Sequence, residues 1–381
     1  MLDENIIARE NIPPFPNSAM DGYAVRTGDT AGAGRKTPVL LTVIDDLPAG
    51  KVTNRRLGEK EAIRIMTGAP LPWGADAVVK VEDASEPRMA KRAAQTVKIF
   101  NKVRKGENVR WAGESVKRGE KVLKKGAVLR PQEIGMLAAL GFSTAKVIPA
   151  PRVAIISTGD ELQEIGGKLA PGKIRDCNRY SLASLVAEYG GIPIPLGITR
   201  DRKPELRARL RKALSCDLVL TSGGISVGKY DLVRKVMHEM SGRINVWQVA
   251  MKPGKPLSFG TIHGTPVFGL PGNPVSVIVS FWQFVRPALL KIQGKKKLKK
   301  PFVEAVLTED CDEVSERTHL VRAVVTRAGE KYFARPAGDQ GSGILRSLVM
   351  SNALLLIPPG RGPLKKGERI RVMLVEEPEI D

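Results

Sequence analysis

The chain has 381 residues, with 61 Lys and Arg against 40 Asp and Glu, giving a formal charge of +21. Hydrophobic residues make up 42% and aromatics 5%, so there is enough apolar material for real cores, wholesale disorder is excluded, and the length suits roughly two to four domains. Three cysteines, Cys177, Cys216 and Cys311, are odd in number and far apart, which excludes a disulfide scaffold and a Cys-x-x-Cys zinc site.

Met1-Leu2-Asp3-Glu4 has no basic stretch leading into an apolar one, so no signal peptide is visible and a cytoplasmic protein is expected. Residues 13–38 are rich in Gly, Pro, Asn and Asp and read as loops and turns. From about 38 to 110, short apolar runs such as 39–44, 62–66 and 77–81 predict the strands of a small β-rich domain. A helix is predicted from Pro131 to Leu140, ended by Gly141. The first region therefore covers 1–150, with the β-rich insertion at about 38–110.

The segment 151–294 has a different rhythm. Val153-Ala154-Ile155-Ile156 and Asp217-Leu218-Val219-Leu220 are continuous apolar runs, as expected of strands buried on both faces. Amphipathic helices are predicted at 181–189 and 231–240 and a further helix at 275–290, with more strands at 246–249 and 266–270. This alternation predicts a parallel doubly wound α/β sheet. The longest apolar stretch, around Val275–Val285, is broken by Ser276, Ser280 and Gln283 and is too short to span a bilayer. Lys291–Lys300, with six lysines in ten residues, reads as an interdomain linker. The last domain, 301–381, shows short strands at 303–307, 321–326, 354–357 and 370–375 and is expected to be all-β.

In an open α/β sheet, ligands bind outside the carboxyl ends of the strands. Three such ends carry unusual loops: Ser157–Glu161, Thr221–Gly228 and Leu270–Ser276. Their small residues, Ser222, Gly223, Gly224, Ser226, Gly272 and Asn273, let a ligand approach the backbone, and turn N–H groups suit phosphate. Asp160, Glu161 and Asp231 add hard carboxylate oxygens that suit Mg²⁺ bridging phosphates. Asp231 fits a helix N-cap equally well. Lys252 and Lys255, in Met251-Lys252-Pro253-Gly254-Lys255-Pro256, are placed to neutralise anionic oxygens. The three histidines, His238, His263 and His319, have no evident partner, and there is neither a G-x-S-x-G elbow nor a Walker A sequence. The +21 charge has two readings, an anionic partner or a solvated surface, and no aromatic–basic interleaving supports nucleic acid.

Taken with the stretches Pro13–Val25, Ile65–Pro72, Gly338–Gly343 and Ser351–Leu354, these loops resemble the MoeA family of molybdopterin molybdenumtransferases, which is related to the C-terminal region of gephyrin. The similarity runs over nearly the whole chain, and Ser-Ala-Met-Asp-Gly-Tyr-Ala (18–24) with Met-Thr-Gly-Ala-Pro (66–70) is its most specific part. The resemblance implies a segmented N-terminal region framing an inserted β-rich domain, then the α/β domain, then a small C-terminal β-barrel, in a homodimer. It implies that molybdate or tungstate is inserted into adenylylated molybdopterin with release of AMP, with Mg²⁺ as the metal. The cleft would lie between the α/β domain of one subunit and the N-terminal region of the other.

By the same resemblance, Asp21, Thr67, Glu161 and Asp231 carry the reaction. Glu161, Asp201 and Asp231 hold the metal. Lys252, Lys255, Pro271, Pro274 and Ser342 join the small loop residues in binding substrate. The chain departs from the family pattern at Ser115 and Gln248, where a carboxylate and a lysine are common. It also begins only a few residues before Ile12-Pro13-Pro14-Phe15, where relatives carry a longer N-terminal helix that supports the dimer. Two other functions compete. Molybdopterin adenylyltransferases share the α/β loops but lack the 18–24 segment and the C-terminal β domain, and a non-enzymatic scaffold would need a docking signature that is not visible. Neither nucleic acid nor membrane is expected as a partner.

Overall fold

The computed structural model describes residues 1–85, 95–224 and 232–380. The chain divides into two units, Met1–Val147 and Ile148–Asp381.

In the first unit, five strands form one sheet: Gly22–Val25 (β1), Val39–Leu47 (β2), Glu61–Ile65 (β3), Ala77–Lys80 (β4) and Thr96–Ile99 (β5). Their order is β4-β1-β3-β2-β5. The sheet takes in β1, part of a stretch that the sequence presents as turns. Gly22 is what admits it, because a Cβ there would sit 1.9 Å from the Val79 carbonyl oxygen. The flanking segments return to each other: Ile6–Ile7 pairs with Lys121–Leu123, and Asn17–Ser18 with Val109–Arg110. The N-terminal region is therefore segmented around the sheet. Helix α1, Pro131–Ala139, starts with Pro at its first turn and with Glu133 accepting the Arg130 N–H at 2.9 Å. It stops at Gly141, whose φ is +76°.

The second unit holds the α/β domain. Its strands are Arg152–Thr158 (β6), Ile192–Thr199 (β7), Leu218–Ser222 (β8), Arg243–Gln248 (β9), Pro256–Ile262 (β10) and Thr265–Leu270 (β11). The order is β7-β6-β8-β11-β10-β9. The first four are parallel, as the alternation predicts. The far edge differs: β10 runs antiparallel to both of its neighbours, β11 and β9. A two-residue turn with positive φ at both His263 (48°) and Gly264 (86°) forces that hairpin. Strand β7 was hidden by Pro193, Pro195 and Gly197, which are tolerated because it is the other edge.

Both faces of the sheet are covered. Asn178–Glu188 (α2) and the helical run from Pro274 pack Leu182, Val186, Val277, Phe281, Val285 and Leu289 against Val153, Ile155, Leu218 and Leu220. On the other face, Lys203–Ala213 (α3) and Leu232–Glu239 (α4) pack Leu206, Leu210, Val233, Val236 and Met237 against Ala154, Ile156 and Val219. The run Pro274–Ile292 is 19 residues, longer than its interrupted apolar core suggests and long enough by composition to cross a bilayer, yet half of its most apolar window is buried inside the protein.

The C-terminal strands Phe302–Leu307 (β12), Thr318–Ala328 (β13), Lys331–Pro336 (β14), Ala353–Ile357 (β15) and Arg369–Leu374 (β16) run in the order β13-β14-β12-β16-β15. Pairing of β15 with β13 closes them into a small barrel. The Lys-rich run before the barrel ends on an anchored lysine. Lys300 donates to the Val375 carbonyl at 2.7 Å and lies over the rings of Tyr189 and Trp282. Burial first, then Arg286, pushes its ammonium down to about 8.

Phe281 is wholly buried between helix and sheet. Phe281→Ala is expected to lower stability by about 3–5 kcal/mol, read as a shift in the urea midpoint.

Candidate active site

Thr158, Ser222 and Leu270 end β6, β8 and β11 at one edge of the parallel sheet. From β6 the chain crosses first to β7 on one side and then to β8 on the other, so direction reverses between β6 and β8. Such a reversal leaves a crevice outside the strand ends. A cavity of about 190 Å³ sits there, lined by Thr158, Glu161, Leu162, Ile174–Asn178, Ser222, Gly223, Gly272, Asn273 and Pro274.

The three loops anticipated from sequence therefore meet. Gly223 donates its N–H to the Leu270 carbonyl at 3.1 Å. Its φ is +85°, and a Cβ would lie 2.3 Å from the Thr158 carbonyl oxygen, so only glycine fits. Gly224 is equally constrained, with φ +67° and Thr158 Oγ1 at 2.6 Å from a Cβ position. The 174–178 segment was not singled out in sequence. Asn178 at a helix start reads as a routine cap, yet its amide donates to Ser222 Oγ at 2.9 Å and to the Gly272 carbonyl at 2.7 Å. The capping is done by buried Asp176, which accepts the Arg179 N–H at 3.1 Å.

The predicted acidic residues are partly gathered. Asp201 donates its N–H to Asp160 Oδ1 at 3.3 Å. Its own carboxyl is pushed up by burial first, then by the charges of Asp160 and Glu161. A donor set of carboxylate oxygens fits a hard dication, which would relieve that repulsion. Among the described residues, no group of three acidic, His or Cys side chains is arranged to hold a metal. Asp231, the third anticipated ligand, and Ser226 lie outside the described residues.

Lys252 is anchored to the barrel. Met251–Lys252 pairs with Thr318–His319 of β13, and Lys252 Nζ meets Glu313 Oε2 at 3.0 Å. Lys255 is exposed. Pro271 and Pro274 bracket the loop that Ser342 reaches. Ser342 accepts from Asn273 Nδ2 at 2.8 Å through its hydroxyl and from the Val275 N–H at 3.2 Å through its carbonyl. The loop bearing Ser342 is held by Arg322, fully buried, which donates to the Asp339 and Gly341 carbonyls. In the first unit, Asp21 Oδ1 accepts from the Thr67 N–H at 2.8 Å and from its hydroxyl at 2.7 Å. Those two residues, 46 positions apart, were linked beforehand only by family resemblance.

His319 is 1% exposed, and neither ring nitrogen has a hydrogen-bond partner among the described residues. Glu313 lies 3.5 Å away and favours protonation, but burial, Lys252, Arg322 and Arg317 outweigh it and push the imidazole down to about 4. The ring is neutral at pH 7.

Comparison with known proteins points the same way along the whole chain. Residues 1–141 match the MoeA N-terminal region (domain I and II), 154–291 a probable molybdopterin binding domain, and 304–375 the MoeA C-terminal region (domain IV). The chain is 36% identical over 97% of its length to a molybdopterin molybdenumtransferase of Haemophilus influenzae, covering 89% of that protein. It is 37% identical over 98% to molybdopterin molybdenumtransferase 2 of Mycobacterium tuberculosis, covering 91%. A solved molybdopterin biosynthesis MoeA protein from Pyrococcus horikoshii superposes with a TM-score of 0.83 at 35% identity, over 99% of this chain and 92% of that one.

Gly223→Ala is expected to destabilise the protein by about 1–3 kcal/mol. Gly167, where a Cβ would meet only Gln163 Nε2 at 3.9 Å, should tolerate alanine with no change in the urea midpoint. His319 gives a pH signature. Its folded pKa lies below the usual 6.5, so the unfolded chain takes up the extra proton. Stability should fall as pH drops from 6.5 towards 4, by on the order of 3 kcal/mol from this group. His319→Phe should flatten that part of the pH–stability curve.

Proposed function

The chain belongs to the MoeA family of molybdopterin molybdenumtransferases, enzymes of molybdenum cofactor biosynthesis, and we propose that its substrates are adenylylated molybdopterin and molybdate or tungstate, with AMP as the leaving product. The observation that carries this reading is the cavity at the reversal of the sheet, where glycine-shaped loops from three strand ends leave backbone and small polar groups exposed to a phosphate-bearing ligand. Gly223, Gly224 and Gly272 admit the substrate close to the main chain. Ser222, Asn273, Ser342 and Ser226, the last outside the described residues, offer hydroxyl and amide contacts, while Pro271 and Pro274 shape the loop.

Lys252 and Lys255 neutralise anionic oxygens. Glu313 competes for Lys252, so an incoming oxyanion exchanges one ion pair for another. Glu161, Asp201 and Asp231 would hold Mg²⁺, whose charge would support departure of the adenylate. Asp21 and Thr67 act as a hydrogen-bonded pair at the metal-loading end of the substrate. The working form is proposed to be a homodimer, checked by sedimentation of the purified chain.

The test incubates the full chain with adenylylated molybdopterin, Mg²⁺ and molybdate or tungstate and follows AMP and active cofactor. AMP release no faster than in a protein-free control refutes the proposal. Glu161→Gln keeps shape but removes charge, and should shift the Mg²⁺ titration of AMP release to higher concentration. An unchanged titration withdraws its metal role. Lys252→Ala should weaken substrate binding about tenfold or more, against no effect for exposed Lys297→Ala.

A further inference from the structure

We infer that Asn178 is a positioning residue: its side-chain amide sets the separation of the Ser222–Gly224 and Pro271–Pro274 loops beyond the end of the sheet, and with it the shape of the cavity. The inference rests on the reading of that cavity as the molybdopterin site, and assigns to it a residue outside the glycine-rich loops.

Backbone pairing between β8 and β11 ends at Ser222 opposite Leu270. The Gly223 N–H then bonds the Leu270 carbonyl, and beyond that point side chains link the two loops. The loops nevertheless run close, since a Cβ on Gly272 would lie 3.9 Å from Gly223 Cα. A primary amide has two N–H donors. Asn178 commits one to Ser222 Oγ and the other to the Gly272 carbonyl, one on each loop. Ser222 Oγ in turn donates to the Pro271 carbonyl at 3.3 Å, closing a small buried network.

Asn178 is itself a rigid base. It lies in the first turn of α2, which is fixed to the sheet by Leu182, Leu185 and Val186 without help from the amide. Only 9% of Asn178 is exposed, and it lines the cavity beside the loops it joins. An isosteric Asp at 178 keeps contact with the Ser222 hydroxyl, which can turn and donate. Towards Gly272 it sets oxygen against oxygen, so the second loop is pushed away.

The test uses Asn178→Asp in the full chain, with two readouts. Without ligand, hydrogen exchange at the Gly223 amide, which bonds the Leu270 carbonyl, and at the Val275 amide, which bonds the Ser342 carbonyl, should speed up by about tenfold, while exchange in α2 and the barrel stays as in the wild type. With adenylylated molybdopterin, molybdate and Mg²⁺, KM for the pterin should rise about tenfold and kcat change by less than about twofold. Ser222→Ala removes one arm only and should give a smaller rise in loop exchange, and the two changes should be non-additive in the double variant. If Asn178→Asp does not fold, Ser222→Ala decides alone, and unchanged loop exchange in it overturns the inference. Unchanged loop exchange in Asn178→Asp, exchange raised equally throughout α2, or a fall in kcat at constant KM also overturns it. A wild type that neither binds nor turns over adenylylated molybdopterin removes the functional reading, while the ligand-free exchange still decides whether Asn178 positions the loops.

Discussion

Parallel strands cannot be joined by tight turns, and every crossover must bury one of the two faces of the sheet. In this protein that constraint places α2 and the 274–292 run on one face and α3 and α4 on the other. The same constraint makes the chain double back between β6 and β8, and the doubling back opens the crevice that the glycine loops line. The site is thus a consequence of strand order before any side chain is considered.

What strand order leaves open is how the loops hold their distance once the hydrogen-bond ladder stops. Polar side chains do this, Asn178 and Arg322 buried and Lys252 half-buried. Asn178 ties two loops to a helix, and Arg322 ties the Ser342 loop to the barrel wall. Lys252 ties the cis Lys252–Pro253 turn to Glu313. Each group is expensive to bury unless its donors are used. Among the described residues, Arg322 leaves one nitrogen and His319 both without a hydrogen-bond partner.

The barrel is therefore more than an appendage. Through β13 it supplies the partner strand for Met251–Lys252, and through the 338–343 loop it supplies the contacts to Asn273 and Val275. The second attachment falls on the loop that lines the cavity. The large positive charge is spread differently. Much of it lies on exposed lysines and arginines, while Lys300 is drawn in among aromatic rings and a carbonyl, as a long amphipathic side chain allows.

The sequence by itself determined the class of the central domain, because the 153–156 and 218–220 runs are apolar on both faces and only a sheet covered on both sides uses such strands. It also marked the three loops, because consecutive glycines and prolines after a strand have few explanations. Three things were decided only in three dimensions. Edge strand β7 and hairpin strand β10 were obscured by prolines and by a turn whose handedness depends on φ at His263 and Gly264. Asp21 and Thr67 are joined by a hydrogen bond spanning 46 residues, which no local pattern encodes. Asn178 looks like any polar residue opening a helix. Its importance comes from which two carbonyl- and hydroxyl-bearing loops the fold brings within reach of one amide, and that is a property of long-range packing.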